Sequence, residues 1–531
     1  MESYKASKEA FVSDTTGTTL THVNAVSAVA LSSVALYSAL QTRLPSSKPI
    51  QFPIAFLILV IPFLLSATVL ANSPIILSVV LLVPTGFLIL APSRDASAAL
   101  PASAEPSSRP EHSPTTPIPS NTRHKIEPLP ALTTYRAHMM LFTILCILAV
   151  DFPVFPRVLA KCETFGVSLM DIGVGAFVFS QGTVSAIPLI QDPSYLDEPI
   201  SRKLPEVVRK ILPVLFLGLV RVVLVKGTEY PEHVSEYGVH WNFFLTLGLL
   251  PVIQIMLHPF IAKVPLSLLG FGVAVAHQGS LFFGLEDFVI NAPRLNLVSA
   301  NKEGIVSLGG YLAIHLLGLS TGTLILPPSP SWFRRRQEEL SKRSRRRSDP
   351  GQKPALSRQP VVQRQNDKTA TELFSYAVVW WVLLGILRFY GVGTDVSRRM
   401  ANLPYVLWVA AYNVSFILGY LLLDLYFFPT PLSVSIYSPT SKLKVSVESP
   451  AFPIASSSQV HLVGNPPPLF EAINKNSLVI FLVANVVTGL VNLSMQTMYT
   501  SDFWAMVVLT VYSFTICGLA WAGRGRRIWR L

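Results

Sequence analysis

Runs of about 17–22 mostly apolar residues recur along the whole chain, and each is long enough to cross a bilayer core of roughly 30 Å as a helix. Half of the residues are hydrophobic and only 14% are charged. A soluble α/β enzyme would show shorter apolar segments between amphipathic helices and alternating strands. The sequence therefore predicts an all-α polytopic membrane protein with about 13 transmembrane helices. They lie at residues 23–41, 52–70, 74–91, 135–151, 166–185, 207–225, 240–258, 264–283, 304–325, 373–391, 403–427, 477–495 and 503–523.

The distribution of basic residues predicts the orientation of these spans. Segment 326–372 carries twelve Lys or Arg residues against five acidic ones, and the chain ends in RGRRIWRL. Loops rich in Lys and Arg stay on the cytosolic side of a membrane. We therefore expect a luminal N-terminus and a cytosolic C-terminus, with segment 151–165 in the lumen. The net charge of +12 is explained by this bias and predicts no nucleic-acid partner.

Low-complexity loops divide the chain into segments. Two loops are rich in Ser and Pro or in Arg and Ser and have no apolar periodicity, which is typical of disorder. The predicted division is a luminal N-terminal tail (1–22), transmembrane helices 1–3 (23–91), a disordered cytosolic loop (92–133), helices 4–9 with the catalytic region (134–325), a basic disordered cytosolic loop (326–372), helices 10–11 (373–427), a cytosolic loop (428–476), and helices 12–13 with a basic C-terminal tail (477–531).

Ionisable residues in or beside the spans are the candidates for chemistry, because such groups are costly in a membrane and mark functional sites by default. No phosphate-binding loop, GxSxG, HExxH or CxxC motif occurs, so no metal site is predicted. For several candidates the simpler interpretation is an interhelical hydrogen bond or a side chain that reaches the interface. The candidates are Asp151, Arg157, Lys161, Asp171, Arg221, His240, His277, His315, Arg388 and Asp424.

Asp151 and Lys161 flank the segment DFPVFPRVLAK, in which Pro153 and Pro156 prevent an unbroken helix. We expect the chain to turn at the membrane surface and bring Lys161 back towards Asp151. A partly desolvated Asp beside a Lys suits removal of a proton from an alcohol, with the Lys stabilising an oxyanion. A salt bridge that only closes the loop is the equal alternative. The neighbouring Cys162 also leaves open an acyl-cysteine intermediate.

Four blocks of sequence resemble the inositol acyltransferase family of GPI-anchor synthesis, and its fungal members in particular. They are YKASKEAFVSDTTGTT near the N-terminus, DFPVFPRVLAKCETFGVSLMDIGVGAFVFSQG at 151–182, YGVHWNFFLTLGLLP at 237–251 and NKEGIVSLGGYLAIHLLG at 301–318. The blocks follow the family's order and span almost the whole chain, apart from the loops at 92–133 and 328–370.

The resemblance implies a multi-pass enzyme of the endoplasmic reticulum membrane that supports the anchoring of fungal cell wall mannoproteins. Such an enzyme moves a fatty acyl chain, typically palmitoyl from palmitoyl-CoA, onto the inositol 2-hydroxyl of glucosaminyl-phosphatidylinositol. Asp151 and Lys161 match the family's proposed catalytic pair. The partners implied are these two substrates and membrane lipids; acyl-CoA is a co-substrate, and no bound cofactor is expected.

Further polar residues on the predicted luminal side are candidates for substrate binding, with Lys302 as a phosphate contact. For His240, Asn242, Asn301, Lys302 and Glu303, hydrogen bonds that merely close loops are an equal alternative. The set is Arg157, Asp171, His240, Asn242, Asn301, Lys302 and Glu303.

Two other functions stay open from the sequence. Thirteen spans with few buried charges also suit a lipid transporter or scramblase. An acyltransferase of the membrane-bound O-acyltransferase type would instead rely on a His within a span, here His277 or His315. The luminal position of Asp151 also raises a difficulty for the acyltransferase. Because acyl-CoA is made in the cytosol, its thioester must reach across the bundle, or the orientation is inverted.

Overall fold

The computed structural model describes residues 7–43 without 9, 12 and 14, residues 50–91, 126–226 without 127, 234–346, 364–391, 395–428 and 466–528. Most of the predicted loops 92–133 and 428–476 and part of the loop 326–372 lie outside these ranges.

All the regular elements of the described residues are helical. The helices are α1 (Leu20–Arg43), α2 (Phe52–Leu59), α3 (Ile61–Ala67), α4 (Pro74–Leu90), α5 (Pro130–Ala149), α6 (Leu169–Gln191), α7 (Ile200–Lys226), α8 (Val234–Tyr237), α9 (Phe243–Met256), α10 (His258–Ile261), α11 (Leu266–Ser280), α12 (Glu286–Asn291), α13 (Leu297–Ala300), α14 (Lys302–Ile325), α15 (Trp332–Arg346), α16 (Asn366–Tyr390), α17 (Leu403–Phe427), α18 (Pro468–Lys475), α19 (Ser477–Ser494) and α20 (Asp502–Ala522).

Each predicted span coincides with a helix or with a pair of consecutive helices. Within the described ranges, nine helices are long and apolar enough to cross a membrane. The spans at 52–70, 74–91 and 240–258 correspond to shorter apolar helices. The span at 207–225 lies in α7, which carries several charges in its first turns. The chain is thus a polytopic all-α membrane protein, as predicted, and the number of crossings and their orientation stay predictions.

Three helices form the centre of the bundle. In α5, α14 and α17, 78% of the most apolar window is buried, against 17% in α19 and 28% in α16. Apolar side chains such as Val379, Ile386 and Val486 point outwards from the outer helices. A helix that is apolar all round is buried in a bundle or faces lipid. The buried share therefore separates central helices from those that face the membrane.

Glycines allow α6 and α14 to pack with their backbones in contact. A Cβ atom at Gly182 would collide with the carbonyl of His315, and one at Gly318 with the carbonyl of Phe179. Small residues at such crossings are typical of membrane helices, whose association depends on close van der Waals packing. This crossing fixes the position of α6, which carries one wall of the cavity described below.

The helix ends and loops gather at two faces of the bundle. Face A comprises residues 7–19, 150–168, 236–242, 292–303, 395–402 and 492–501, and face B comprises residues 192–203, 257–263, 326–346, 364–366 and 474–476. On face A, Gly166 N donates to Val396 O at 2.8 Å and His240 N donates to Asn301 Oδ1 at 2.7 Å. On face B, Gln337 Nε2 donates to Ile261 O at 2.8 Å. In the predicted orientation, face A is luminal and face B is cytosolic.

Polar caps start several helices at face A. Ser168 caps α6 by accepting a hydrogen bond from Asp171 N, and Asn242 caps α9 through the amides of Phe244 and Leu245. Side-chain oxygens at these positions satisfy amides that have no partner within the helix. The caps therefore explain why these polar residues directly precede the apolar runs of α6 and α9.

The prediction of disorder across 326–372 is wrong in part. Residues 332–346 form helix α15, and residues 366–372 already belong to α16. Phe333 is buried, and Arg336 pairs with Glu339 one turn away at 3.0 Å. The buried Phe333 ring and this i,i+3 ion pair stabilise a helix that the charge content of the segment alone does not predict. The loop prediction for 428–476 likewise misses α18, whose Leu469 and Phe470 are buried.

Candidate functional site

A cavity of about 1010 Å³ opens between α5, α6, α7, α9 and α19. Its wall on α6 extends from Met170 to Pro188, which is roughly 27 Å at 1.5 Å per residue. The lining is mostly apolar, with residues such as Phe177, Phe243 and Phe481. The cavity therefore extends through most of the depth of the bundle, from face A towards face B, and suits a long apolar ligand.

Lys161 and Glu236 lie at the face A end of this cavity. Lys161 Nζ is 2.9 Å from Glu236 Oε1 and 3.1 Å from Oε2. The Lys161 side chain is 41% exposed and that of Glu236 is 16% exposed. Glu236 is the one carboxylate among the lining residues of the described chain. An ammonium group is thus held at the polar end of an apolar cavity.

A chain of ion pairs continues from Glu236 into the protein. Arg398 Nη1 is 3.2 Å from Glu236 Oε1, and Arg398 Nε is 2.7 Å from Asp171 Oδ1. Ser168 Oγ and Cys162 N both donate to Asp171 Oδ2. Burial by itself would lower the pKa of Arg398, but the nearby carboxylates of Glu236 and Asp171 hold it well above its usual value. The guanidinium stays charged and links the cavity to a buried carboxylate.

Asp151 belongs to a separate cluster. Its Oδ1 is 3.4 Å from Lys8 Nζ, its Oδ2 accepts from Asn492 Nδ2 at 2.8 Å, and Lys8 Nζ donates to Asn492 Oδ1 at 2.8 Å. The expectation that the turn brings Lys161 back to Asp151 is therefore wrong: each pairs with another residue. Nothing in the sequence indicates this pairing, because Lys8 and Asn492 are far from Asp151 in the chain and contact it only in the folded protein. Asp151 is 2% exposed and does not line the cavity.

Arg157 shapes the segment between Asp151 and Lys161. Its Nη2 donates to the carbonyls of Val150, Phe152 and Phe155, at 2.8, 3.1 and 2.9 Å, and its guanidinium lies 4.2 Å from the centroid of the Phe11 ring. Burial lowers the pKa of Arg157 to about 10 against the opposing effect of Asp151. Arg157 thus closes the proline-containing turn, and a substrate role for it stays a prediction.

The other residues predicted to bind substrate also have protein partners. Glu303 is fully buried between Arg294, at 2.5 Å, and Arg399, at 2.9 Å. Lys302 is buried and donates to Ala292 O at 2.6 Å, and Asn301 accepts from the backbone amide of the exposed His240.

The partners of these residues all lie within the protein, and the same holds for Asp171, which pairs with Arg398. Asn242 differs, because it caps α9 and also lines the cavity. A substrate contact by any of the predicted residues is untested and stays a prediction.

The histidines and the cysteine of the alternative mechanisms are placed unfavourably for chemistry. His277 Nε2 lies 2.9 Å from Met400 O, His315 Nε2 lies 2.7 Å from Gln254 Oε1, and neither residue lines the cavity. Burial, followed by the charge of Asp171, raises the pKa of the Cys162 thiol, which disfavours the thiolate that an acyl-cysteine route needs.

The remaining predicted polar residues do not form a site together. Asp424 and Arg388 lie near the last turns of α17 and α16, outside the cavity lining. Arg221 lies in α7, and its side chain falls outside the described part of the structure. Across the described residues, no group of His, Cys, Asp or Glu side chains is arranged to hold a metal ion.

Sequence reasoning missed four residues that the fold brings to these clusters: Lys8, Glu236, Arg398 and Asn492. Only two of them carried a usable signal. Glu236 directly precedes the block that starts at Tyr237, and Lys8 lies within the N-terminal block. Arg398 and Asn492 lie outside all four blocks.

Comparisons with known proteins match one family model and several relatives over most of this chain or nearly all of it. Residues 4–523 match the family model described as GWT1. The chain is 44% identical to GPI-anchored wall transfer protein 1 of Cryptococcus neoformans var. grubii over 75% of this chain and 63% of that protein. It is 35% identical to the protein of that name from C. neoformans var. neoformans, over 99% of this chain and 100% of the relative. The chain is also 36% identical to GPI-anchored wall transfer protein 1 of Gibberella zeae, over 98% of this chain and 97% of that protein.

Proposed function

The chain belongs to the GWT1 family, and on that premise we propose that it is an inositol O-acyltransferase of GPI-anchor biosynthesis. It transfers palmitoyl from palmitoyl-CoA to the inositol 2-hydroxyl of glucosaminyl-phosphatidylinositol in the endoplasmic reticulum membrane. The name shared by the relatives supports a role in GPI anchoring. The observation that carries the proposal is the Lys161–Glu236 pair at the polar end of a long apolar cavity.

The cavity supplies what an acyl donor needs. An apolar channel roughly 27 Å long accommodates a fatty chain away from water, and each buried methylene group contributes about 0.8 kcal/mol. Lys161 then lies where a thioester carbonyl would meet a headgroup at face A. Holding both substrates in one water-poor space accelerates transfer through orientation and electrostatics.

In the proposed reaction the inositol oxygen attacks the thioester carbon while a carboxylate takes the hydroxyl proton. The tetrahedral oxygen develops a negative charge that the Lys161 ammonium stabilises. Collapse of the intermediate forms the ester and breaks the C–S bond, and the CoA thiolate leaves and takes up a proton.

Two carboxylates compete for the role of base. Asp151 is the base that the family resemblance implies, and to act it must exchange Lys8 and Asn492 for the acceptor hydroxyl. Glu236 already borders the cavity, but both of its oxygens contact Lys161 and one of them also contacts Arg398. We therefore assign Asp151 as the base and Glu236 as the residue that positions Lys161.

The test is acyl transfer from labelled palmitoyl-CoA to glucosaminyl-phosphatidylinositol by membranes that lack the endogenous enzyme. The wild type should transfer label, whereas Asp151→Asn and Lys161→Ala should not at matched levels of folded protein. Transfer lost in Glu236→Gln but retained in Asp151→Asn would move the base to Glu236. A wild type that moves lipid across the bilayer without acylating it would establish the scramblase alternative.

A further inference from the structure

Arg136 places a guanidinium group inside the bundle. It lies in α5 and lines the cavity, and its Nε donates to Ser180 Oγ at 3.2 Å. Within the described ranges, its guanidinium makes no ion pair. A cation in a membrane bundle is costly unless it serves a pathway or a ligand. The guanidinium group of Arg136 is therefore a candidate to bind an anionic ligand in the cavity.

A second donor, the Nε2–H group of His258, lies at the face B end of the same cavity. The other ring nitrogen of His258, Nδ1, is 3.1 Å from Lys203 Nζ, which also donates to Leu196 O. A lysine ammonium only donates, so Nδ1 accepts and the ring hydrogen lies on Nε2. His258 is 1% exposed and lines the cavity, and its Nε2 has no hydrogen-bond partner among the described residues. It is an unused N–H group beside a ligand space.

The charged side chains that line this end are cationic, whereas the nearby Glu198 and Glu206 do not line the cavity. Lys210, which is exposed, completes the set of cavity-lining donors with Arg136 and His258. The one lining carboxylate, Glu236, lies at the opposite end. Three donors with no carboxylate among the lining residues near them attract an anion, and the planar fork of an arginine fits the oxygens of a phosphate.

We propose that Arg136, Lys210 and His258 form a binding site for a phosphate-bearing group, namely the diphosphate of the CoA moiety. The assignment to CoA rests on the proposed acyl transfer. With the phosphates at this end, the pantetheine arm extends along the cavity and presents the thioester near Lys161, and the acyl chain lies beside it in the same apolar space. Face B is the predicted cytosolic face, so a donor made in the cytosol reaches a reaction centre at face A without crossing the membrane as a whole. The phosphodiester of the acceptor lipid carries the same chemistry and is the alternative source.

The inference is tested on the purified full-length protein in lipid nanodiscs. The probes are free CoA, which carries the phosphates but no acyl chain, and pantetheine, which lacks them. We expect the wild type to bind CoA more tightly than pantetheine. Arg136→Gln should weaken CoA binding about ten- to hundredfold, as expected for lost charge-assisted hydrogen bonds. Arg136→Lys should rescue it only in part, because a lysine lacks the fork.

Two further variants keep the test decisive. Lys210→Gln changes an exposed residue and should fold normally; it should weaken CoA binding about two- to fivefold. Lys263→Gln removes an exposed cation of face B that does not line the cavity, and should change nothing. In acyl transfer, Arg136→Gln should raise the KM for palmitoyl-CoA and leave the KM for the acceptor lipid unchanged.

The possible results separate this site from the proposed reaction. Equal binding of CoA and pantetheine, or unchanged CoA binding in both Arg136→Gln and Lys210→Gln, would overturn the site. A raised KM for the acceptor lipid alone would assign the phosphate to that lipid and overturn the CoA assignment. CoA binding that depends on Arg136 in a protein without acyl transfer would support the site while the proposed reaction fails.

Discussion

Replacement of Glu236 by Gln should show whether the ion-pair chain positions Lys161. The carboxylate contacts Lys161 Nζ through both oxygens, at 2.9 and 3.1 Å, and Arg398 through one of them, at 3.2 Å. A glutamine keeps the size of the side chain but has one accepting oxygen and no charge. Lys161 therefore loses the interaction that fixes its ammonium group at the end of the cavity.

The magnitude follows from these contacts. A hydrogen bond between charged groups contributes roughly 1.5–3 kcal/mol. Because the Lys161 side chain is 41% exposed, solvent screening reduces the loss to about 1–2 kcal/mol. If Lys161 acts in the transition state, where about 1.4 kcal/mol is a tenfold change in rate, kcat should fall about 5- to 30-fold. The KM for either substrate should change much less.

The assay is the initial rate of labelled palmitoyl transfer by purified protein, normalised to the folded fraction from a tryptophan-fluorescence melt. Glu236→Asp, which retains the charge, should recover part of the rate. Glu163→Gln is the matched control: it removes the same charge from an exposed residue two positions from Lys161, and its rate should equal that of the wild type. A kcat for Glu236→Gln within twofold of the wild type would refute the positioning role. So would a loss that the folded fraction explains completely.

Three further predictions concern the surrounding structure. Lys8→Ala should lower the free energy of unfolding by about 1–3 kcal/mol, measured by a thermal melt, because the buried Asp151 carboxylate keeps its hydrogen bond from Asn492 but loses its ion pair with Lys8; an unchanged melt would contradict this. Gly182→Ala should reduce the yield of folded protein because its Cβ collides with the neighbouring helix, whereas Gly86→Ala has open space and should be tolerated in the same expression assay. Burial raises the pKa of Cys162, so its thiol should resist iodoacetamide at pH 8 and become reactive only as the pH rises further, and Cys162→Ala should retain acyl transfer; rapid alkylation at pH 8, followed by mass spectrometry, would refute the placement.

The positions of the membrane helices could be predicted from the sequence because they depend on local composition. An apolar run of sufficient length has no stable alternative to a helix in lipid, where the backbone must satisfy its own hydrogen bonds. Helix α15 was missed because its stability depends on a buried Phe333 and on ion pairs along its own surface, while its charge resembles that of a disordered loop.

The candidate site could be predicted only in part. Lys161, which lines the cavity, was a candidate from the sequence because charges beside apolar runs are rare, and the role of Asp151 stays a prediction. Their partners were not found, because Glu236 and Arg398 lie 75 and 237 positions from Lys161, and no local pattern relates residues so far apart. Arg136 was overlooked because one basic residue at the start of an apolar run looks like an interfacial anchor.

The sequence by itself determined the class of the protein, the helical segments and the residues that resemble a known family. The tertiary structure alone decided which charges meet. It separates Asp151 from Lys161, joins Lys161 to Asp171 through Glu236 and Arg398, and opens a cavity between the two faces. The physical reason is that burial of apolar surface acts on each segment in proportion to its own composition. Ion pairs and cavities depend instead on distances of a few ångströms between segments, which only the packing of the whole bundle sets.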